Sequence, residues 1–116
     1  MKPIKININN KDFQCLLAES QQEQETGLMY IKPPVPNMAF SYSSPTQTIF
    51  WMKNTPAPLD IIFCCKNKII DIKQGKPYST DLIKPSGNCD LVIEFNRGSV
   101  SLFGFKIGDD VFINEH

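Results

Sequence analysis

The chain of 116 residues has a single histidine, and it is the last residue, His116. A general base must be held in register with its partner, and a chain end serves that poorly. Cys-His and Ser-His-Asp machinery and histidine-built metal sites are therefore argued against. Charge of either sign is not in excess, because twelve Lys plus Arg balance twelve Asp plus Glu. Binders of nucleic-acid backbone gain affinity by neutralising phosphates, so this balance argues against a nucleic-acid partner. The local run Lys66, Lys68, Lys73, Lys76 and Lys84 is interrupted by Asp71 and Asp81 and reads as a solvated face. A Gly-rich phosphate loop is missing, since Gly98 and Gly108 stand alone as turn glycines.

Long apolar runs are missing too. The nearest, residues 59–65, is too short to cross a bilayer and contains Asp60. Met1-Lys2-Pro3-Ile4 leads into alternating residues rather than an apolar stretch, so no signal peptide is visible. The expectation is a cytoplasmic protein without membrane attachment. The four cysteines, at 15, 64, 65 and 89, lack the spacing of a zinc knuckle. Cys64 and Cys65 are neighbours and would point to opposite faces of a strand. Free, mostly buried thiols are expected, with a Cys15–Cys89 disulfide as the alternative. Neither a metal nor a cofactor is implied, and no residue is assigned as catalytic.

What is present fits one globular domain spanning 1–116. An apolar fraction of 41% with 21% charged residues is ordinary, and the length suffices for one core without staples. Ile4, Ile6 and Ile8 alternate with polar residues, and Phe13 to Ala18 reads as the returning strand of a hairpin. Ser20-Gln21-Gln22-Glu23 has the form of a capping box. It predicts a short helix near residues 20–28, anchored by Leu28 and Met29. Pro33, Pro34 and Pro36 enforce an extended loop.

Met38 to Tyr42 reads as a strand, Ser43-Ser44-Pro45 as a turn, and Thr48 to Met52 as β-rich. Leu59 to Cys65, apolar on both faces, is the best buried strand. Lys66-Asn67-Lys68 turns it back into Ile69 to Lys73, and residues 75–88 read as a long surface connection. Leu91 to Phe95, Val100 to Phe105 and Asp110 to Ile113 are the remaining β-like runs. Many short strands with one helix predict an α+β, mostly β fold: a small curled antiparallel sheet or open β-barrel.

The informative stretch is Phe50-Trp51-Met52-Lys53-Asn54-Thr55-Pro56-Ala57-Pro58-Leu59-Asp60-Ile61-Ile62-Phe63. It closely resembles the signature of the domain-of-unknown-function 192 family of bacteria and archaea. Thr26-Gly27-Leu28-Met29, Asn37-Met38-Ala39-Phe40, Leu91-Val92-Ile93-Glu94 with Gly98, and Gly108-Asp109 are similar to other parts of that family's pattern. The resemblance covers roughly residues 12–113. The family often has Gly at the place of Asn37, and Arg just after the Gly-Leu-Met, where Tyr30 and then Lys32 stand here. The resemblance implies a small α+β, barrel-like fold and no particular activity.

Two readings of the motif stand side by side. In the structural one, Asn54 shapes an Asx-turn, Thr55 is held extended before Pro56, and a buried Asp60 takes donors from Lys53, Asn54 or Thr55. In the functional one, Trp51 and Met52 form an apolar wall, and Lys53, Asn54, Thr55, Asp60 and Glu94 supply the polar groups of a shallow ligand site. The expected function is a non-catalytic binding or accessory module with an unidentified small ligand or protein partner. One alternative is an assembly or interaction subunit that uses an edge strand or the loop from Lys32 to Asn37. The other is an enzyme using Asp60, Lys53 or Cys15, with an Asp60–Glu94 pair doing acid–base work if the fold brings the two together.

Overall fold

The computed structural model of the chain describes residues 1–114, so His116 lies outside the described residues. The Ile4, Ile6, Ile8 alternation forms strand β1 (Lys2–Ile8), which returns as β2 (Lys11–Ala18). The turn between them is Asn9-Asn10, both at positive φ, a conformation asparagine tolerates. Helix α1 (Gln21–Thr26) opens with a complete capping box. The Glu23 N–H donates to Ser20 Oγ at 3.0 Å, and the Glu23 carboxylate accepts from the Ser20 N–H at 3.1 Å. The backbone N–H groups of Ser20 and Glu19, each donating to it at 3.1 Å, hold the Glu23 carboxyl down at about 2. There follow β3 (Met38–Thr46), β4 (Leu59–Cys65), β5 (Lys68–Gly75), β6 (Cys89–Asn96), helix α2 (Ser99–Phe103) and β7 (Val111–Asn114).

One seven-stranded sheet results, in the order β5-β4-β6-β3-β2-β1-β7. Its neighbours are antiparallel except β2 and β3, whose residues Leu16, Leu17 and Ala18 pair in parallel with Met38, Ala39 and Phe40. A parallel pair needs a crossover, and α1 with the proline loop supplies it. The sheet curls until its two ends meet. The N–H of Val111 donates to the Asn67 carbonyl at 3.0 Å, the N–H of Ile69 donates to the Asp109 carbonyl at 3.0 Å, and Lys68 pairs with Asp110.

Strand alternation gives the curled sheet two apolar faces. The inner one gathers Ile4, Ile6, Ile8, Leu17, Ile62, Ile93 and Phe95. It is closed at one end by Phe13, Phe103 and Phe105, whose ring centres lie 4.9–5.7 Å apart. The outer face, made of Met38, Phe40, Ile61, Phe63 and Val92, is covered by the loop residues Leu28, Val35, Met52 and Ala57.

Four local expectations are corrected. Val100 to Phe105 is not a strand, because Ser99–Phe103 is helical. Val100 and Phe103, three apart, pack on the inner cluster while Leu102 is exposed, which is helical spacing in a run too short to display its period. Ser43-Ser44-Pro45 is not a turn but part of β3. The ladder slips there, from Ser41 opposite Leu91 to Thr46 opposite Cys89, and that irregularity is where a strand tolerates proline. Thr48 to Met52 forms only one bridge, Phe50 to Ile83. The sheet, expected to be antiparallel, contains the one parallel pair.

Candidate functional site

The site begins with β6. Val92 and Glu94 point to the outer face, and Glu94 lies in register with Met38 of β3 and Ile61 of β4. Both neighbours are buried and apolar. Glu94 is only 5% exposed, and no hydrogen bond to its carboxyl is found among the described residues. Burial pushes that carboxyl from its ordinary 4.5 up to about 8. The fully buried side-chain polar atom without a partner among the described residues is Thr48 Oγ1, whereas the Glu94 carboxyl, likewise without a partner among them, keeps its contact with the cleft.

Glu94 opens onto a cleft of about 470 Å³ between α1, the loop before Thr55 and the outer face of β3 and β6. Phe40 and Tyr42 alternate along β3 to face it. Phe50, held by paired backbone hydrogen bonds to Ile83 at 3.0 and 2.7 Å, sets its ring edge-on to Phe40 at 5.1 Å. Leu28 and Met29 enter from the end of α1, where Gly27 at φ +51 makes the exit that an L side chain rarely adopts. Gln24 ties the helix to the sheet by donating to the carbonyls of Ala18 at 3.1 Å and Ser41 at 3.2 Å. Tyr42, half-buried, has its hydroxyl raised to about 12, first by burial and then by the nearby Cys89 and Glu94.

The motif residues divide between cleft and framework. Trp51, 43% exposed, lines the cleft, and the Lys53 ammonium lies 5.2 Å from its ring centre. Thr55 also lines it, buried, with its hydroxyl donating to the Lys53 carbonyl at 3.1 Å. Met52 turns away and packs on Gly75, where an added Cβ would collide with the thioether. Lys53 itself is not among the lining residues. Asn54, at φ +57, fastens the loop after α1 to this corner. Its Nδ2 donates to the Tyr30 hydroxyl at 2.9 Å, and its carbonyl accepts from the Tyr30 N–H at 2.7 Å.

Asp60 serves the opposite face. Its Oδ2 accepts from the N–H groups of Gly98 and Val100, each at 3.0 Å, and its Oδ1 lies 3.6 Å from Arg97 Nε. Arg97 in turn donates to the carbonyls of Gly75 at 2.9 Å and Leu59 at 3.4 Å. Asp60 therefore secures the start of α2, and its donors come from residues 97–100 rather than from Lys53, Asn54 or Thr55. Because Ile61 is the register partner of Glu94, Asp60 and Glu94 project from opposite faces and form no acid–base pair.

The structure thus brings Trp51, Thr55 and Glu94 together and leaves Met52, Lys53, Asn54 and Asp60 outside the cleft. It adds residues that were not singled out for the site: Gln24, Leu28, Phe40, Tyr42 and Phe50. The Phe40-x-Tyr42 alternation could have suggested the aromatic wall. Nothing local could have joined it to α1. The cysteines are free, with Cys15, Cys64 and Cys89 buried and Cys65 partly so. Among the described residues no group of three or more His, Cys, Asp or Glu could hold a metal ion. Nor is any helix there long and apolar enough to cross a membrane.

Comparison with known proteins follows the same outline. The model of the family described as uncharacterized ACR, domain of unknown function 192, matches residues 4–113. A crystal structure of a protein of unknown function from Novosphingobium aromaticivorans superposes with a TM-score of 0.83 at 30% identity, covering 95% of this chain and 83% of that one. A structure from Sinorhizobium meliloti, described as "a putative transcription regulator", superposes with a TM-score of 0.90 at 27% identity, covering 97% and 94%. None of the curated proteins matches the sequence.

Proposed function

The chain belongs to the domain-of-unknown-function 192 family, and within it we propose that this protein is a small-ligand binding module whose site is the cleft beneath α1. The observation that carries this reading is the Glu94 carboxyl, buried without a hydrogen-bond partner among the described residues yet opening onto a concave aromatic surface. A core that served only stability would gain from an apolar side chain there. A cleft of about 470 Å³ with aromatic walls and few polar groups has the size and composition of small-molecule sites.

The module is read as non-catalytic. Asp60, the carboxylate that would complete an acid–base pair, is engaged in holding α2. The regulator description of the Sinorhizobium meliloti structure adds no reason to read this chain as a DNA binder. Its net charge is zero, Lys68 is paired with Asp110, and Lys73 lies 3.8 Å from Asp71.

Trp51 is the chain's single tryptophan and lies on the cleft, so its emission reports directly on occupancy. A metabolite screen should yield at least one compound that both shifts Trp51 emission and raises the melting temperature. An empty result across amines, sugars, nucleosides and organic acids would refute the reading.

A further inference from the structure

Resting on the binding reading above, we propose that the cleft's ligand is a small organic ammonium ion. Its N–H groups pair with the Glu94 carboxylate, and its apolar body lies against Phe40, Phe50 and Trp51. Three independent features of the cleft point to a cation. The first is the unpaired acceptor: Glu94 is flanked in register by Met38 and Ile61, neither of which can donate a hydrogen bond. The second is the sign of the lining. Its ionisable carboxyls are Glu25 and Glu94, and no Lys or Arg is among the described lining residues. An anionic ligand would meet like charge without a compensating cationic side chain, whereas a cation would meet complementary charge.

The third feature is the aromatic wall. The faces of Phe, Tyr and Trp attract cations, and Trp51 already has the Lys53 ammonium 5.2 Å from its ring centre. Around Glu94, α1 contributes the exposed Glu25, β3 contributes the Tyr42 hydroxyl, and the register neighbours on β3 and β4 carry no ionisable group. Tyr42, raised to about 12, stays neutral at working pH. Glu94 must ionise to pair with the ligand, and because burial has raised its pKa to about 8, binding takes place with release of a proton.

The test uses three probes that differ in their head group: 2-phenylethylammonium, the neutral 3-phenylpropanamide and the anionic 3-phenylpropanoate. Binding to the full chain is followed by Trp51 fluorescence and calorimetry at pH 6.5 and 8.5, for wild type, E94Q and Trp51→Ala. The ammonium probe should bind at least about tenfold more tightly than the other two, in keeping with a charge-assisted pair in a desolvated site. Its affinity should fall by more than about tenfold from pH 8.5 to 6.5 as Glu94 takes up its proton. E94Q should remove that preference, so that the ammonium probe binds no more tightly than the amide, and Trp51→Ala should weaken all three probes.

An amide or carboxylate bound as tightly as the ammonium ion, or an ammonium affinity unchanged in E94Q, overturns the cation assignment while leaving the cleft-binding reading intact. If none of the three binds, the cation assignment is refuted. An empty metabolite screen in addition would refute the cleft-binding reading as well.

Discussion

Replacing Glu94 with glutamine should stabilise the protein, and the gain should grow with pH. In the folded chain the carboxyl titrates near 8, against an ordinary value of 4.5. Between those two values the unfolded chain has lost a proton that the folded chain still holds. Each unit of pH then lowers the unfolding free energy by up to about 1.4 kcal/mol. Glu94's contribution is therefore most favourable below its unfolded pKa, declines as pH rises, and levels off above 8. Integrated from pH 5 to pH 8 the loss is about 3.5 kcal/mol, which is large beside a typical total of about 5–15 kcal/mol.

Glutamine has nearly the same shape and does not titrate, so E94Q lacks this loss. Other groups, such as Glu23 with its carboxyl held near 2, titrate alike in both proteins and cancel in the difference. Urea denaturation at pH 5, 6, 7 and 8, followed by circular dichroism, measures the difference directly. The variant-minus-wild-type stability should climb by about 3.5 kcal/mol from pH 5 to pH 8. Parallel stability curves would mean instead that Glu94 is ionised and satisfied in the fold.

Three further outcomes follow from the framework. Asp60→Ala should destabilise by about 3 kcal/mol, because two backbone N–H groups and Arg97 lose their acceptor, and Asp60→Asn should cost less; thermal melts compare them. Gly75→Ala should cost about 1–3 kcal/mol by driving a methyl into Met52, with Met52→Ala in the same chain relieving the clash but leaving a cavity; denaturant midpoints read both. With a thiol-reactive dye, Cys65 should label first in the native protein, because it alone of the four is not buried. Burial also raises the thiols of Cys15 and Cys64, so Cys65→Ser should abolish the fast phase.

The framework was largely legible in the residues. The Ile4-Ile6-Ile8 alternation, the Ser20–Glu23 capping box and the apolar run from Leu59 each encode their element within a few positions. Failures came where local pattern and tertiary demand diverge. Val100 to Phe103 is too short to display its period, and Pro45 sits in a strand because β3 bulges against β6. The motif from Trp51 to Asp60 was legible as a unit, but its division between cleft and framework depends on facing. Asp60 and Glu94 are a strand apart, and only the β4–β6 register sends them to opposite sides. Likewise, α1 meets Phe40 and Phe50 only because β2 and β3 run parallel, a pairing that no local signal announces.

The most direct test of an unpaired Glu94 in a cation-seeking cleft is its side-chain carboxyl resonance. Carbon-13 NMR would follow that signal across pH, identified by its loss in E94Q. An unpaired, buried Glu94 should show a midpoint near 8 in the free protein, moving down when 2-phenylethylammonium is added. A midpoint near 4.5 that the amine leaves unmoved would contradict it.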